Sequence, residues 1–190
     1  MNRLLFYTIL ILTSIHLFSC QNNMKTKNNI DDDSKIKKTD MSNWHPELIP
    51  IMREEDYHTH HLGVTENGLL FFGYETFVFP NGFVNENWQN ERLEYALVYL
   101  FDKNGNHIET KYQLAGKTIN ISNGETTNLL NELLRELGKF EYKNISVKPF
   151  KTIIDGIEFG LIPNKEVEMI ELQPSNTIAF GAPWDGEYDT

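Results

Sequence analysis

The chain reads as an α+β fold: an antiparallel sheet of six to eight strands with one main helix, about 124–137, packed on one face. Three observations predict it. Leu93, Tyr95, Leu97, Tyr99 and Phe101 alternate along one face of a strand, while Ala96, Val98 and Leu100 make the opposite face apolar too. That is the pattern of a central strand covered on both sides. Apolar runs are then joined by short turn sequences, Asp102-Lys103-Asn104-Gly105-Asn106 and Asp155-Gly156, which favour antiparallel hairpins. Finally, Leu129, Leu130, Leu133, Leu134 and Leu137 recur at helical spacing and form a single apolar stripe.

Taken in order, Leu69 to Phe79 is an aromatic-rich strand that stops at Pro80, because proline has no N–H to give a ladder. Residues 80–90 form a connection long for a hairpin, with Phe83 and Trp88 as its large apolar side chains. The strand at 93–101 returns after the 102–106 turn through His107 to Leu114. Ser122 and Glu125 stand at capping-box spacing ahead of the leucine stripe, and Gly138 follows as the C-terminal cap. Phe150–Ile154 and Ile157–Leu161 make a second hairpin. Val167–Leu172 and Thr177–Phe180, flanking Gln173-Pro174-Ser175-Asn176, make a third.

Composition narrows the classes. The chain has 190 residues, 40% apolar and 12% aromatic, enough for a packed core, and its single cysteine rules out an internal disulfide scaffold. Only the extreme N-terminus carries a long apolar run, which excludes a multi-span membrane protein. The formal charge is −10, the wrong sign for a nucleic-acid binder.

Arg3 followed by 15 apolar-rich residues, Leu4 to Phe18, is too short for a bilayer span and suits a signal-peptide core over residues 1–19. It ends in Leu17-Phe18-Ser19-Cys20, which resembles the lipobox of bacterial lipoproteins. That resemblance implies a diacylglycerol thioether on Cys20, cleavage before it, and acyl chains sufficient for lasting attachment to a membrane. The alternative is an ordinary secretory signal with Cys20 incidental. Residues 20–43 are crowded with Asn, Lys and Asp and lack the apolar mass to order themselves, so they read as a tether of roughly 25–30 Å average span. Gln21 is not the aspartate that holds lipoproteins at the inner membrane of some Gram-negative bacteria, which favours the outer membrane of the cell envelope. Positions 44–190 then form one globular domain carrying 11 basic and 23 acidic residues, a net −12.

Two polar constellations stand out. In Glu54-Glu55-Asp56-Tyr57-His58-Thr59-His60-His61, an extended chain would point alternate residues the same way. Asp56, His58 and His60 are then candidate ligands for Zn²⁺. The alternative is a strand leading into the sheet, whose imidazoles hydrogen-bond to neighbouring loops. The second constellation is the tail Ala182–Thr190, where Trp184 and Tyr188 interleave with Asp185, Glu187 and Asp189. It is either a recognition lip, with Trp184, Asp185 and Tyr188 binding ligand beside Phe83 and Trp88 of the long loop, or a segment whose aromatics pack back onto the domain. No GxSxG, glycine-rich phosphate loop or CxxC occurs.

From Tyr57 to Thr190 the chain resembles an uncharacterised bacterial family whose members are sometimes labelled formate hydrogenlyase regulatory proteins. The resemblance is carried by Tyr57–Gly63, Tyr99–Asp102 with Gly105-Asn106-His107, Phe159-Gly160-Leu161 and, above all, Ala182–Thr190. It implies that the His58–His61 segment and the tail belong together across one groove, and it brings no reaction with it. The lipid anchor and the net −12 stand against a cytoplasmic DNA-binding regulator. The functional expectation is a non-enzymatic, membrane-anchored binding module for a protein partner or small ligand, in one version an immunity-type protein whose acidic surface meets a basic partner. The alternative is a metal-dependent hydrolase built on His58, His60 and Asp56.

Overall fold

Strands β3 (Leu70–Val78) and β4 (Leu93–Phe101) have apolar side chains on both faces, so each face of the sheet they form has to be covered. The computed structural model, which describes residues 44–55, 58–83 and 86–190, covers them with different material on each side. β3 and β4 are the inner strands of a five-stranded antiparallel sheet. Its outer members are β5 (His107–Lys117) beside β4, and β2 (His61–Thr65) followed by β6 (Phe140–Tyr142) beside β3. On one face, Phe71, Ala96, Val98 and Leu100 meet Leu130, Leu133 and Leu134 of helix α1 (Glu125–Arg135). On the other, Phe72, Tyr74, Tyr95, Leu97, Tyr99 and Phe101 pack against a second antiparallel sheet. That sheet is built from β8 (Phe150–Ile154), β9 (Ile157–Asn164), β10 (Met169–Gln173) and β11 (Ala179–Phe180), in the order β11-β10-β9-β8.

A two-stranded ribbon of β1 (Ile49–Ile51) and β7 (Ile145–Val147) adds four buried aliphatic side chains to this larger core. The ribbon lies against the β4–β5 turn, where Lys148 donates its N–H to the Gly105 carbonyl at 2.8 Å. A Cβ on Gly105 would come within 2.9 Å of the Val147 Cα, so the closeness of this contact depends on glycine.

The α+β class and the antiparallel pairing are therefore as expected, but the strands do not form one sheet of six to eight. They divide into sheets of five, four and two. The reason is the two-sided apolar character of β3 and β4: one helix covers one face, and the opposite face needs a layer of its own. The hairpins fall where the turn chemistry puts them. Asp155 (φ 52°) and Gly156 (φ 81°) both take the left-handed conformation that a two-residue hairpin turn requires. The helix starts one residue later and ends two residues earlier than expected, and its cap differs from the capping box. Gly124 occupies the cap position, and the Glu125 carboxylate accepts both the N–H and the hydroxyl of Ser122, at 2.8 and 2.9 Å. Among the described residues, no helix is long and apolar enough to cross a membrane.

At the start of β4, Glu94 is 9% exposed and is held by Arg92. The guanidinium reaches its Oε1 at 2.5 Å through Nη2 and at 2.8 Å through Nε, and Thr118 donates its hydroxyl to the same oxygen at 2.5 Å. The rings of Phe77 and Trp88 lie on the same guanidinium, each 4.5 Å from Cζ, with Trp88 supplied by a 3₁₀ turn, Trp88–Asn90. Removing the cation strands a buried carboxylate, whereas removing one ring leaves the ion pair in place. Arg92→Ala is therefore expected to destabilise the fold by about 3 kcal/mol or more and Trp88→Ala by about 1 kcal/mol, read as midpoint shifts in urea denaturation. Equal costs would show that the rings, and not the charge pair, secure this end of β4.

Candidate functional site

Gly73, in the middle of β3, faces the helix at a point where any side chain would be crowded. A Cβ there would lie 3.0 Å from the His61 Cβ and 3.3 Å from both Leu130 Cδ1 and Leu134 Cδ2. The missing side chain helps open a cleft of about 510 Å³ bounded by Glu55, His58, His60, Gly73, Tyr74, Glu75 and Leu130. One wall comes from the segment joining β1 to β2, the floor from β3 and the opposite wall from α1. Strand and helix are rigid supports for two of the three sides.

The described residues of the joining segment do not form a strand. Glu55, His58 and Thr59 lie in turns, and the strand begins at His61. With His58 and Thr59 in a turn, His60 does not follow His58 along a strand, but both still reach the same cleft. Several bonds fix the segment. Met52 donates its N–H to the Gly186 carbonyl at 2.8 Å, and Arg53 donates its N–H to Asn144 Oδ1 at 2.9 Å. The Arg53 side chain then turns back, with Nε donating to the His60 carbonyl at 2.8 Å and Cζ 4.7 Å above the Tyr142 ring. Arg53 thus ties the two ends of the segment together.

The imidazoles sit in distinct settings. The His58 ring meets Tyr74 edge-on at 6.5 Å and Tyr188 of the tail at 6.4 Å. The rings of His60 and His61 are 3.7 Å apart, and His61 Nδ1 is 3.1 Å from the Tyr142 hydroxyl. Burial first, then the neighbouring His60 and Arg53, push the His61 pKa down to about 4. It is neutral at physiological pH. Among the described residues, no three His, Cys, Asp or Glu side chains converge as a metal would require, and Asp56, the third proposed ligand, lies outside the described residues.

The remaining proposed site residues are dispersed. Tyr188 packs against His58 and Phe180, and Trp184 lies 6.2 Å from Trp44, both tail aromatics being partly buried on the larger core. The tail and the histidine segment meet at the His58–Tyr188 contact. Asp185 accepts the Glu187 N–H at 3.1 Å and lines a separate small cavity of about 120 Å³ with Glu187, Tyr188 and Asp189. Trp88 is the clamp on Arg92, and Phe83, 67% exposed, makes an edge contact with Phe79. Neither lines the cleft. Cys20 and residues 21–43, the expected tether, lie outside the described residues. Arg53, Gly73, Tyr74, Glu75 and Leu130 were not anticipated at a site. The one signal for them was a glycine inside an otherwise bulky strand, which marks a close approach or a gap.

The lowered His61 pKa makes stability depend on pH. The unfolded chain takes up a proton near 6.5 that the folded chain resists until about 4, so stability is flat above this window and falls as pH drops through it. With His61 only half shielded from solvent, the loss is on the order of 1 kcal/mol. His61→Asn should flatten the decline between pH 6.5 and 4, measured by denaturant midpoints at several pH values. His107, also held low by burial, and near the acid end the hydrogen-bonded carboxyls of Glu47 and Glu125, both held below their usual range, supply the slope that remains. An unchanged slope in the variant would show that His61 protonates freely in the fold. Compared with known proteins, the chain matches no family model, no curated protein and no solved structure.

Proposed function

We propose that this protein is a membrane-anchored, non-enzymatic binding module that takes its partner or ligand at the His58–His60 cleft. The observation that carries the reading is that His58 and His60 line one cleft with Glu55, Glu75 and Leu130, on the surface left open at Gly73. Two imidazoles and two carboxylates beside an apolar leucine give the mixed lining from which ligand and partner sites are made. The anchor is Cys20, lipidated after signal cleavage and holding the domain to the bacterial envelope, with the outer membrane favoured by Gln21. The net −12 of residues 44–190 supports a basic protein partner, the immunity-type version of this function.

Two experiments test it. Mass spectrometry of the chain from its native membranes should find a mature N-terminus at Cys20 carrying a diacylglyceryl group; an intact Met1 with an unmodified thiol would remove the anchor. A photoreactive amino acid replacing Glu55, at the cleft, should capture a partner in envelopes, while the same group at Ile153, 57% exposed on β8, should not. Equal capture at both positions, or none at either, argues against the cleft.

A metal-dependent hydrolase is the second reading, favoured by one observation: His58 and His60 line the same cleft. In that reading His58 and His60, with Asp56, would hold the ion, and the chemistry it would supply is activation of a water. Stabilisation by Zn²⁺ that disappears in a His58→Ala/His60→Ala double variant would move the assignment from binding to hydrolysis.

A further inference from the structure

Strand β5 is eleven residues long and lies at the end of the five-stranded sheet, paired among the described residues with β4 alone. Its other edge therefore presents a row of backbone donors and acceptors. Such edges are usually kept short or interrupted by proline, because they template pairing with another chain. This one has no proline, its bulges fall at Ile108 and Ala115 and leave Glu109 to Leu114 regular, and it exposes three large apolar side chains: Ile108 (52%), Tyr112 (43%) and Leu114 (47%). Its charged residues do not simply repel a partner. They are spaced so that the strand complements its own reverse.

Laid antiparallel to a second copy with Thr110 opposite Thr110, β5 places Glu109 opposite Lys111 and Lys111 opposite Glu109. Ile108, the extra residue of a bulge against β4, falls outside this regular stretch, which is centred on the three pairs 109–111, 110–110 and 111–109. The faces agree as well as the order. Glu109 and Lys111 are in register with Leu100 and Val98, which belong to the helix-covered face. Thr110 and Tyr112 are in register with Tyr99 and Leu97, which belong to the face toward the second sheet. Centring the pair on Tyr112 instead would set Glu109 against Ala115 and Lys111 against Gln113, with no charge satisfied. Opposite charges across strands are a favourable combination in antiparallel sheets, and like charges an unfavourable one. Lys111 already reaches Glu136 on the helix at 2.9 Å, so its ammonium is held on the face where the second copy's Glu109 would arrive.

We propose that β5 is a homodimer interface, through which two copies of this chain join their five-stranded sheets edge to edge across a two-fold axis at Thr110. This stands apart from the function assigned to the His58–His60 cleft, since β5 contributes no residue to that cleft.

The axis gives a register-specific test. Directly opposed residues in an antiparallel pair have Cα atoms about 4.5–5.5 Å apart, within disulfide range. In full-length chain in detergent, with copper–phenanthroline as oxidant, Thr110→Cys should yield a disulfide-linked dimer. Leu114→Cys, whose two copies would sit on the order of 25 Å apart, should not, and neither should the unsubstituted chain with Cys20 as its sole cysteine. Sedimentation of the same full-length material gives a second measurement that needs no cysteine. Glu109→Lys and Lys111→Glu should each weaken dimerisation about tenfold or more, and the double exchange should restore it. Monomeric Thr110→Cys after oxidation, including a thiol captured by some other protein, overturns the interface. So do equal cross-linking at Leu114→Cys and a double exchange that stays as weak as the single variants.

Discussion

Burial of both faces of the β3–β4 pair is the constraint on which the rest of this structure depends. A strand pair apolar on one side needs one covering layer; this pair needs two, and the chain supplies them from different kinds of structure. The helix covers one face with three leucines. The second sheet covers the other with rings and branched side chains, and the β1–β7 ribbon adds to that same core. Each layer follows from area that water would otherwise meet, at about 25 cal/mol for each Å² removed. The cleft arises in the helix-covered layer at the one β3 position, Gly73, that brings no side chain to fill it.

Much of this was legible in the sequence wherever local chemistry decides local structure. The Asp155-Gly156 turn, the stop at Pro80, the leucine stripe and the two-faced strand at 93–101 each act within a few residues, and each appears where expected. The division into separate sheets was not legible. It depends on which non-neighbouring strands meet across a layer, and alternation along one strand does not name its partner on another. The cap of α1 shows the same limit on a smaller scale. Ser122 and Glu125 do bond, as their spacing suggests, yet Gly124 takes the cap itself and the serine hydroxyl donates to the carboxylate instead of accepting from the backbone.

The site was half legible for a related reason. His58 and His60 drew notice by residue type, and both belong to the cleft, but the geometry that brings them there is a turn fixed by Arg53 and not an alternating strand. Nothing in the residues beside Arg53 sets it apart from the chain's other charges. Its value comes from the His60 carbonyl and the Tyr142 ring, neither of which its own neighbourhood in the sequence reveals. Trp88 illustrates the converse: an aromatic in a long loop suggests a binding lip, but here it lies on a guanidinium that holds a buried carboxylate.

The tie from Met52 to Gly186, with Tyr188 beside His58, has a bearing on the order in which the molecule takes shape. The two sides of that contact come from opposite ends of the described chain, so closing it requires nearly the whole intervening polypeptide to be in place first. The hairpins and the helix can gather locally, but the histidine pocket is among the last regions to mature. A nascent or clipped chain lacking its final residues would hold a near-complete scaffold around an unfinished pocket.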